Sequence, residues 1–357
     1  MSAFKAGLRQ RNPLVLAFGG LLLLPAFVLL QAFFTSGAWS NIPLHYWVRN
    51  PIDDSAFVSW SVGRAKQRPP TVPSVYVVGG SSAREALVSG ASLAADVHRL
   101  GGPRIVAWDM GSIRQTFAES LAIADNVPAN DAWIVIGVNL GRFAGDAETS
   151  MGQAVGKGLL LKSDYLKRYV ATTYGRYRYD PTILPGIFLY LSDLTRAYIR
   201  GAGSGALAAG RYDLHRVDAA SQLSVQSKQR AVKAWYRLRY PDFKEYFAMN
   251  TGMLDRLLAR CRQRGLHVLL VELPVNADIV GHQFDAPTAR YRAQVRRLAG
   301  EYRVPYVDFN AELALPNKDF YDMQHLVQPG RSIWQQRLAQ ELVQRMGADG
   351  KGAVTAP

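Results

Sequence analysis

Five short apolar runs punctuate the chain, at residues 75–78, 105–108, 133–136, 268–271 and 304–307, and each ends in glycine or polar residues. Runs of this length, bounded by turn formers, predict buried strands. Between most of them the apolar positions recur at helical spacing. One such stretch covers 83–100 and stops at Gly101-Gly102-Pro103; another covers 115–125. A third, 247–264, carries Met253, Leu254, Leu257, Leu258 and Cys261 on one stripe, followed by basic residues and Gly265; a fourth, 332–346, closes the series. Strands alternating with helices predict an α/β fold: a three-layer sandwich around a five-stranded parallel sheet.

Two stretches depart from this rhythm. Residues 14–34 read LVLAFGGLLLLPAFVLLQAFF, without a charge, behind Lys5, Arg9 and Arg11. About 20 apolar residues are enough to cross the hydrocarbon core, and the basic flank favours a cytoplasmic N-terminus with export of everything after it. A cleaved signal peptide is the alternative, with Ser36-Gly37-Ala38 as its small-residue site. The second departure is 145–242, too long for an ordinary connection and dense in Tyr and Arg, as in Tyr174-Gly175-Arg176-Tyr177-Arg178-Tyr179 and Trp235-Tyr236-Arg237-Leu238-Arg239-Tyr240. It is expected to be a helical insertion, divided by a flexible stretch at 201–210.

The expected organisation is therefore a cytoplasmic tail (1–12), a transmembrane anchor (13–35), a connecting segment (36–72), the α/β domain (73–345) and a flexible tail (346–357). In the connecting segment, Trp39, Tyr46 and Trp47 suit a membrane interface.

Composition narrows the chemistry. The net charge of +14 favours anionic partners, but no nucleic-acid motif accompanies it, so nucleic acid is not an expected partner. A single cysteine, Cys261, excludes an intramolecular disulfide, and its place on a helical stripe predicts a small buried hydrophobe. His45, His98, His215, His267 and His282 show no metal-ligand spacing, and no metal or cofactor is expected.

Three segments can carry a reaction. The first strand runs into Gly79-Gly80-Ser81-Ser82, a small-residue turn that can expose a serine at the carboxyl edge of the sheet. The third strand ends in Gly137-Val138-Asn139, whose amide can donate to a developing oxyanion. After the last strand comes Asp322-Met323-Gln324-His325-Leu326, where a carboxylate three residues before a histidine can fix its tautomer. Each alone has an ordinary explanation as turn or loop chemistry. All three map to the sheet edge where open α/β folds bind ligands.

These blocks resemble those of the SGNH (GDSL-type) hydrolase and acyltransferase superfamily, which has a flavodoxin-like sheet. The resemblance spans residues 74–345 and implies a nucleophile at Ser81, a general base at His325, its orienting carboxylate at Asp322 and an oxyanion hole using Asn139 and the Ser81 N–H. Gly80 stands where the family has Asp, and Leu140 where Asp often follows the Asn. In the second block, Arg114 falls where the family's donor glycine is expected, with Gly111 the alternative in another register. Ser82 remains the alternative nucleophile.

A single anchor beside such a domain resembles envelope-modifying proteins of the DltD type and polysaccharide O-acetyltransferases. That resemblance implies an acylated glycan or lipid substrate in the periplasm or its equivalent, and a multispanning membrane O-acyltransferase as a partner. Tyr and Arg in the insertion suit sugar rings and anionic groups, and equally suit a helical subdomain packed on a membrane surface.

Overall fold

The computed structural model describes residues 13–50, 53–150, 160–175, 184–201 and 217–352. Strands β1 (Ser74–Val78), β2 (Val106–Asp109), β3 (Ala132–Val138), β4 (His267–Glu272) and β5 (Tyr306–Asp308) pair in parallel in the order β2-β1-β3-β4-β5. Successive side chains point to opposite faces of a strand. Tyr76, Val78, Ile134, Ile136, Val268 and Leu270 accordingly enter one core, and Val75, Val77, Trp133, Val135, Leu269 and Val271 the other.

Among the described residues, ten helices surround or precede this sheet, besides single turns: α1 (Pro13–Thr35), α2 (Asp54–Gln67), α3 (Ser81–Ala86), α4 (Gly90–Arg99), α5 (Phe117–Asn126), α6 (Asp164–Thr173), α7 (Leu184–Ile199), α8 (Val225–Gln263), α9 (Asp285–Tyr302) and α10 (Gly330–Gly352). Helices α2, α5, α6, α8 and α9 cover the first core; α3, α4 and α10 cover the second. The chain is a three-layer α/β sandwich; among the described residues, one helix, at the N-terminal end, is long and apolar enough to cross a membrane. Cys261 lies fully buried on α8, where burial pushes its thiol up to about 12.

Local chemistry explains where the elements stop. The helix expected over 83–100 is two helices. Leu87 is extended after α3, and Ser89 restarts the chain by accepting the Ser92 N–H at 3.0 Å. A side chain at Gly90 would collide with the Ala107 carbonyl, so glycine lets α4 approach β2. Helix α5 begins in a full capping box: Thr116 Oγ1 accepts the Glu119 N–H and Glu119 accepts the Thr116 N–H. Helix α8 is far longer than its sequence stripe. It starts at a Ser224 cap, runs 39 residues through Pro241 and reaches the foot of β4, so the second half of the insertion is one arm of it. Residues 176–179 and 202–210 of the insertion, the tail 1–12 and residues 353–357 lie outside the described residues, while the first part of the expected flexible tail 346–357 is instead the last turns of α10, which runs to Gly352.

The segment 36–72 does more than connect. Trp39 and Trp47 are not interfacial rings: they are 1% and 9% exposed, stacked edge-on at 5.1 Å and packed on Phe34 from the end of α1. Tyr46 alone of the three is exposed. Further on, Asp54 at the start of α2 reaches into the domain. Its Oδ2 pairs with Arg84 of α3 at 2.5 Å and accepts the Ile113 N–H at 3.0 Å. Glu85 completes a buried ion cluster with Arg84 and with Arg331 of α10.

Candidate active site

The sheet order reverses at β1: the next strand lies on one side of it and β3 on the other. Loops leaving β1 and β3 therefore diverge, opening a crevice at the carboxyl ends. Ser81 is the first residue of α3, immediately after β1, and Asn139 directly follows β3. Gly79 and Gly137 face each other at this point. A Cβ on Gly79 would meet the Ala83 side chain at 2.6 Å, and one on Gly137 would meet Leu273 at 2.7 Å. Gly80 is extended (φ −67°, ψ −174°), and its carbonyl accepts from Ala83 and Arg84. The Ser81 and Ser82 N–H groups lie ahead of the first intrahelical bond, as the opening donors of any helix do.

The loop carrying Asp322 and His325 folds back over this turn. His325 Nε2 lies 2.8 Å from Ser81 Oγ, and His325 Nδ1 lies 2.7 Å from Asp322 Oδ2. Asp322 Oδ1 accepts the backbone N–H groups of Gln324 (2.9 Å) and His325 (3.0 Å). Burial on its own would raise the Asp322 pKa. The His325 ring and the two backbone donors outweigh that and hold it below the ordinary carboxylate value. Both side chains keep 18% exposure, so the pair is sheltered while the site stays open.

Ser82 is elsewhere. It is 2% exposed, and its Oγ accepts from Asn139 Nδ2 at 3.3 Å, with no bond to His325. The geometry pairs the imidazole with Ser81. Asn139 is itself held, since its Oδ1 accepts the Arg142 N–H at 3.2 Å, turning the amide nitrogen toward Ser82 and Gln324 Oε1 (3.3 Å each). If this amide stabilises an oxyanion, Asn139→Ala lowers kcat by roughly 10²–10³ with little change in KM. Steady-state kinetics on a soluble aryl ester, with circular dichroism to check the fold, reads this directly.

The second block separates its two candidates. Gly111 is not available as a donor, because its N–H is bonded to Asp109 Oδ1 at 3.1 Å. Its missing side chain serves packing, as a Cβ there would meet the Arg84 backbone nitrogen at 2.6 Å. Arg114 adopts φ 52°, the left-handed region where glycine is at home, and it lines the crevice.

Several residues that shape the site carry no sequence signal. Lys228 of α8 is 1% exposed and donates to Phe320 O (2.6 Å), Asn317 Oδ1 (2.8 Å) and Asn317 O (3.1 Å). Asn276 donates its backbone N–H to Met323 O and its amide to Asp322 O, both at 3.0 Å. Together with the Phe320–Leu326 bridge, they clamp the Asp322–His325 loop from two sides. The partners are tens of residues apart, so no spacing rule finds them.

The crevice around Ser81, Asn139, Arg114 and His325 has a volume of about 530 Å³. Trp235, Leu238 and Arg239 of α8 form its outer wall. Arg142 lies in its floor, 6% exposed, donating to Gly137 O, Thr116 O and Ser120 Oγ; burial brings its pKa down to about 9. Glu272, at the end of β4, is instead sealed among Tyr291, Tyr306 and Arg292 and does not line the crevice. Among the described residues, no group of three or more His, Cys, Asp or Glu side chains is placed to hold a metal ion.

No protein-family model matches this chain, and no curated protein matches it. Among solved structures, it is similar to a Bacteroides fragilis NCTC 9343 protein provisionally described as an acylhydrolase, at 12% identity and a TM-score of 0.34, over 76% of this chain and 86% of that one.

Proposed function

We propose that this chain is a membrane-anchored serine esterase or O-acyltransferase of the SGNH type, working outside the cytoplasm on acyl esters of a cell-envelope polysaccharide or lipid. One observation carries the reading: the unbroken chain of hydrogen bonds from Asp322 through His325 to Ser81, at 2.7 and 2.8 Å. Carboxylate, imidazole and hydroxyl in this order make a nucleophile from a serine.

In the reaction, His325 Nε2 takes the Ser81 proton as Ser81 Oγ attacks the ester carbonyl. The carbonyl oxygen becomes an oxyanion, stabilised by Asn139 Nδ2 and the Ser81 N–H, with the Arg114 N–H as a further donor. Gln324 Oε1, now an acceptor for Asn139, gives way to it. Collapse breaks the ester C–O bond, His325 returns the proton to the leaving alcohol, and an acyl-serine remains. Water or a sugar hydroxyl then attacks, with His325 again as base, and Ser81 recovers its proton. Throughout, Asp322 keeps Nδ1 protonated and offsets the imidazolium charge.

Membrane attachment is supported by the aromatic cluster at the end of α1. Phe34 is 2% exposed against Trp39 and Trp47. Burying a large apolar side chain stabilises by about 1.5–3 kcal/mol, and cleavage near residue 36 would remove this one. The basic residues ahead of α1 favour the orientation with the domain exported. Trp235 and Arg239 on the crevice wall suit a sugar ring and an anionic substituent.

The test is mass spectrometry of the full-length protein after a fluorophosphonate, and after short-chain aryl esters quenched in acid. An adduct on the peptide containing Ser81, and an acyl group on the same residue, are expected. Well-folded protein with no adduct at Ser81 would instead mark a domain that binds an envelope polymer or assists a membrane acyltransferase without performing the chemistry.

A further inference from the structure

Helix α7 has three distinct flanks. Ile187, Tyr190, Leu194 and Ala197 are buried, and the first three, with Leu30, Phe33 and Phe34 of α1 and with Trp47, belong to the third hydrophobic cluster of the molecule. Tyr190 OH bonds the Trp47 carbonyl, and Tyr198 OH bonds the Tyr46 carbonyl at 3.0 Å. The helix is therefore fastened to the last turns of α1 and to the chain that follows them.

At ~100° per residue, Phe188, Leu191, Ser192, Thr195, Tyr198 and Ile199 fall on the next flank, which carries no charge. Phe188 is 68% and Ile199 80% exposed. Asp193, Arg196 and Arg200 fall together on the remaining flank, with Leu189 among them. A soluble surface seldom leaves two large apolar side chains so bare beside an uncharged stripe. The neighbouring surface supplies the reason. Leu21, Leu22, Leu24 and Leu29 of α1 are themselves 64–72% exposed around a span long and apolar enough to cross a membrane, and that span ends where α7 begins to pack.

We propose that α7 is a second membrane contact. It lies in the headgroup region of the outer leaflet with Phe188 and Ile199 turned into the acyl boundary and Asp193, Arg196 and Arg200 toward water. Such a helix binds through its apolar flank, immersed about 5–10 Å. The inference rests on α1 remaining in the bilayer. One helix in the membrane lets a domain swivel; two contacts fix which way the crevice faces.

Native Cys261 is fully buried and its thiol is pushed up to about 12, so it stays silent toward maleimides. This permits single-site labelling of the full-length chain in phosphatidylcholine–phosphatidylglycerol vesicles. An environment-sensitive fluorophore is placed at Phe188→Cys, Ile199→Cys, Leu22→Cys in α1, or His282→Cys, whose side chain is 99% exposed. Labels at 188 and 199 are expected to be blue-shifted and quenched several-fold more by doxyl lipids than by iodide, like the label at 22 and opposite to that at 282. Iodide quenching at 188 and 199 equal to that at 282, with the label at 22 still in lipid, overturns the proposal and leaves the anchor standing. Shielding of both sites from both quenchers also overturns it, and identifies a face covered by a second copy of this chain. A label at 22 that reports water removes the anchor and the proposal together.

Discussion

Replacing Ser81 with alanine is expected to lower ester turnover by roughly 10⁴–10⁶-fold. The only atom lost is the hydroxyl facing His325 Nε2 at 2.8 Å. Alanine is also a better helix former than serine, so α3 and the buried ions behind it keep their places. The variant should melt within a few degrees of the parent while its fluorophosphonate adduct disappears. A Ser81→Ala protein that retains activity, with the adduct moved to Ser82, would reject the assignment. That outcome requires Ser82 to leave its buried bond with Asn139.

Asp322→Asn is expected to cost about 10⁴ in kcat, as loss of the correct tautomer does in a triad. Asp322 Oδ2 accepts from His325 Nδ1 at 2.7 Å, while Oδ1 is already engaged by two backbone donors. An asparagine that keeps the backbone bonds must turn its NH₂ toward Nδ1, which moves the ring proton to Nε2 and points a donor at Ser81. The pH dependence follows from the depressed Asp322 pKa. The unfolded value is about 3.9, so the stabilisation from ionised Asp322 is fully present above that pH and is lost as pH falls through the lower folded value. Thermal melts of the parent and Asp322→Asn should therefore converge below about pH 4. A stability gap that stays constant down to pH 2 would show that the carboxylate charge is not what the loop depends on.

Much of this site is legible in the sequence because it is written in short local patterns. All five strands announce themselves as apolar runs, and the structure places each within a few residues. Ser81, Asn139 and the Asp322–His325 pair each follow a strand or sit in one loop, where topology alone sends them to the same edge. What escaped detection depends on distant partners. Lys228 reads as one more base on a charged helix until Phe320 and Asn317 surround it. Asp54 reads as a linker charge until Arg84 meets it. Arg114 looks like a lost glycine until its backbone shows φ 52°. The length of α8 was hidden by Pro241, which normally ends a helix; packing on both sides of it, by Phe243 and Val232, carries the helix through.

The bond from Asp54 to Arg84 and the Ile113 N–H has a practical corollary for anyone wishing to prepare the α/β domain without α1. A fragment cut at the expected domain edge, near residue 73, would strip a carboxylate from a guanidinium that is 4% exposed and from the loop beside Ser81. The useful cut lies upstream, so that Asp53 still caps α2 and the aspartate after it still reaches the α/β domain. The segment that reads as a stalk is one of the foundations of the fold.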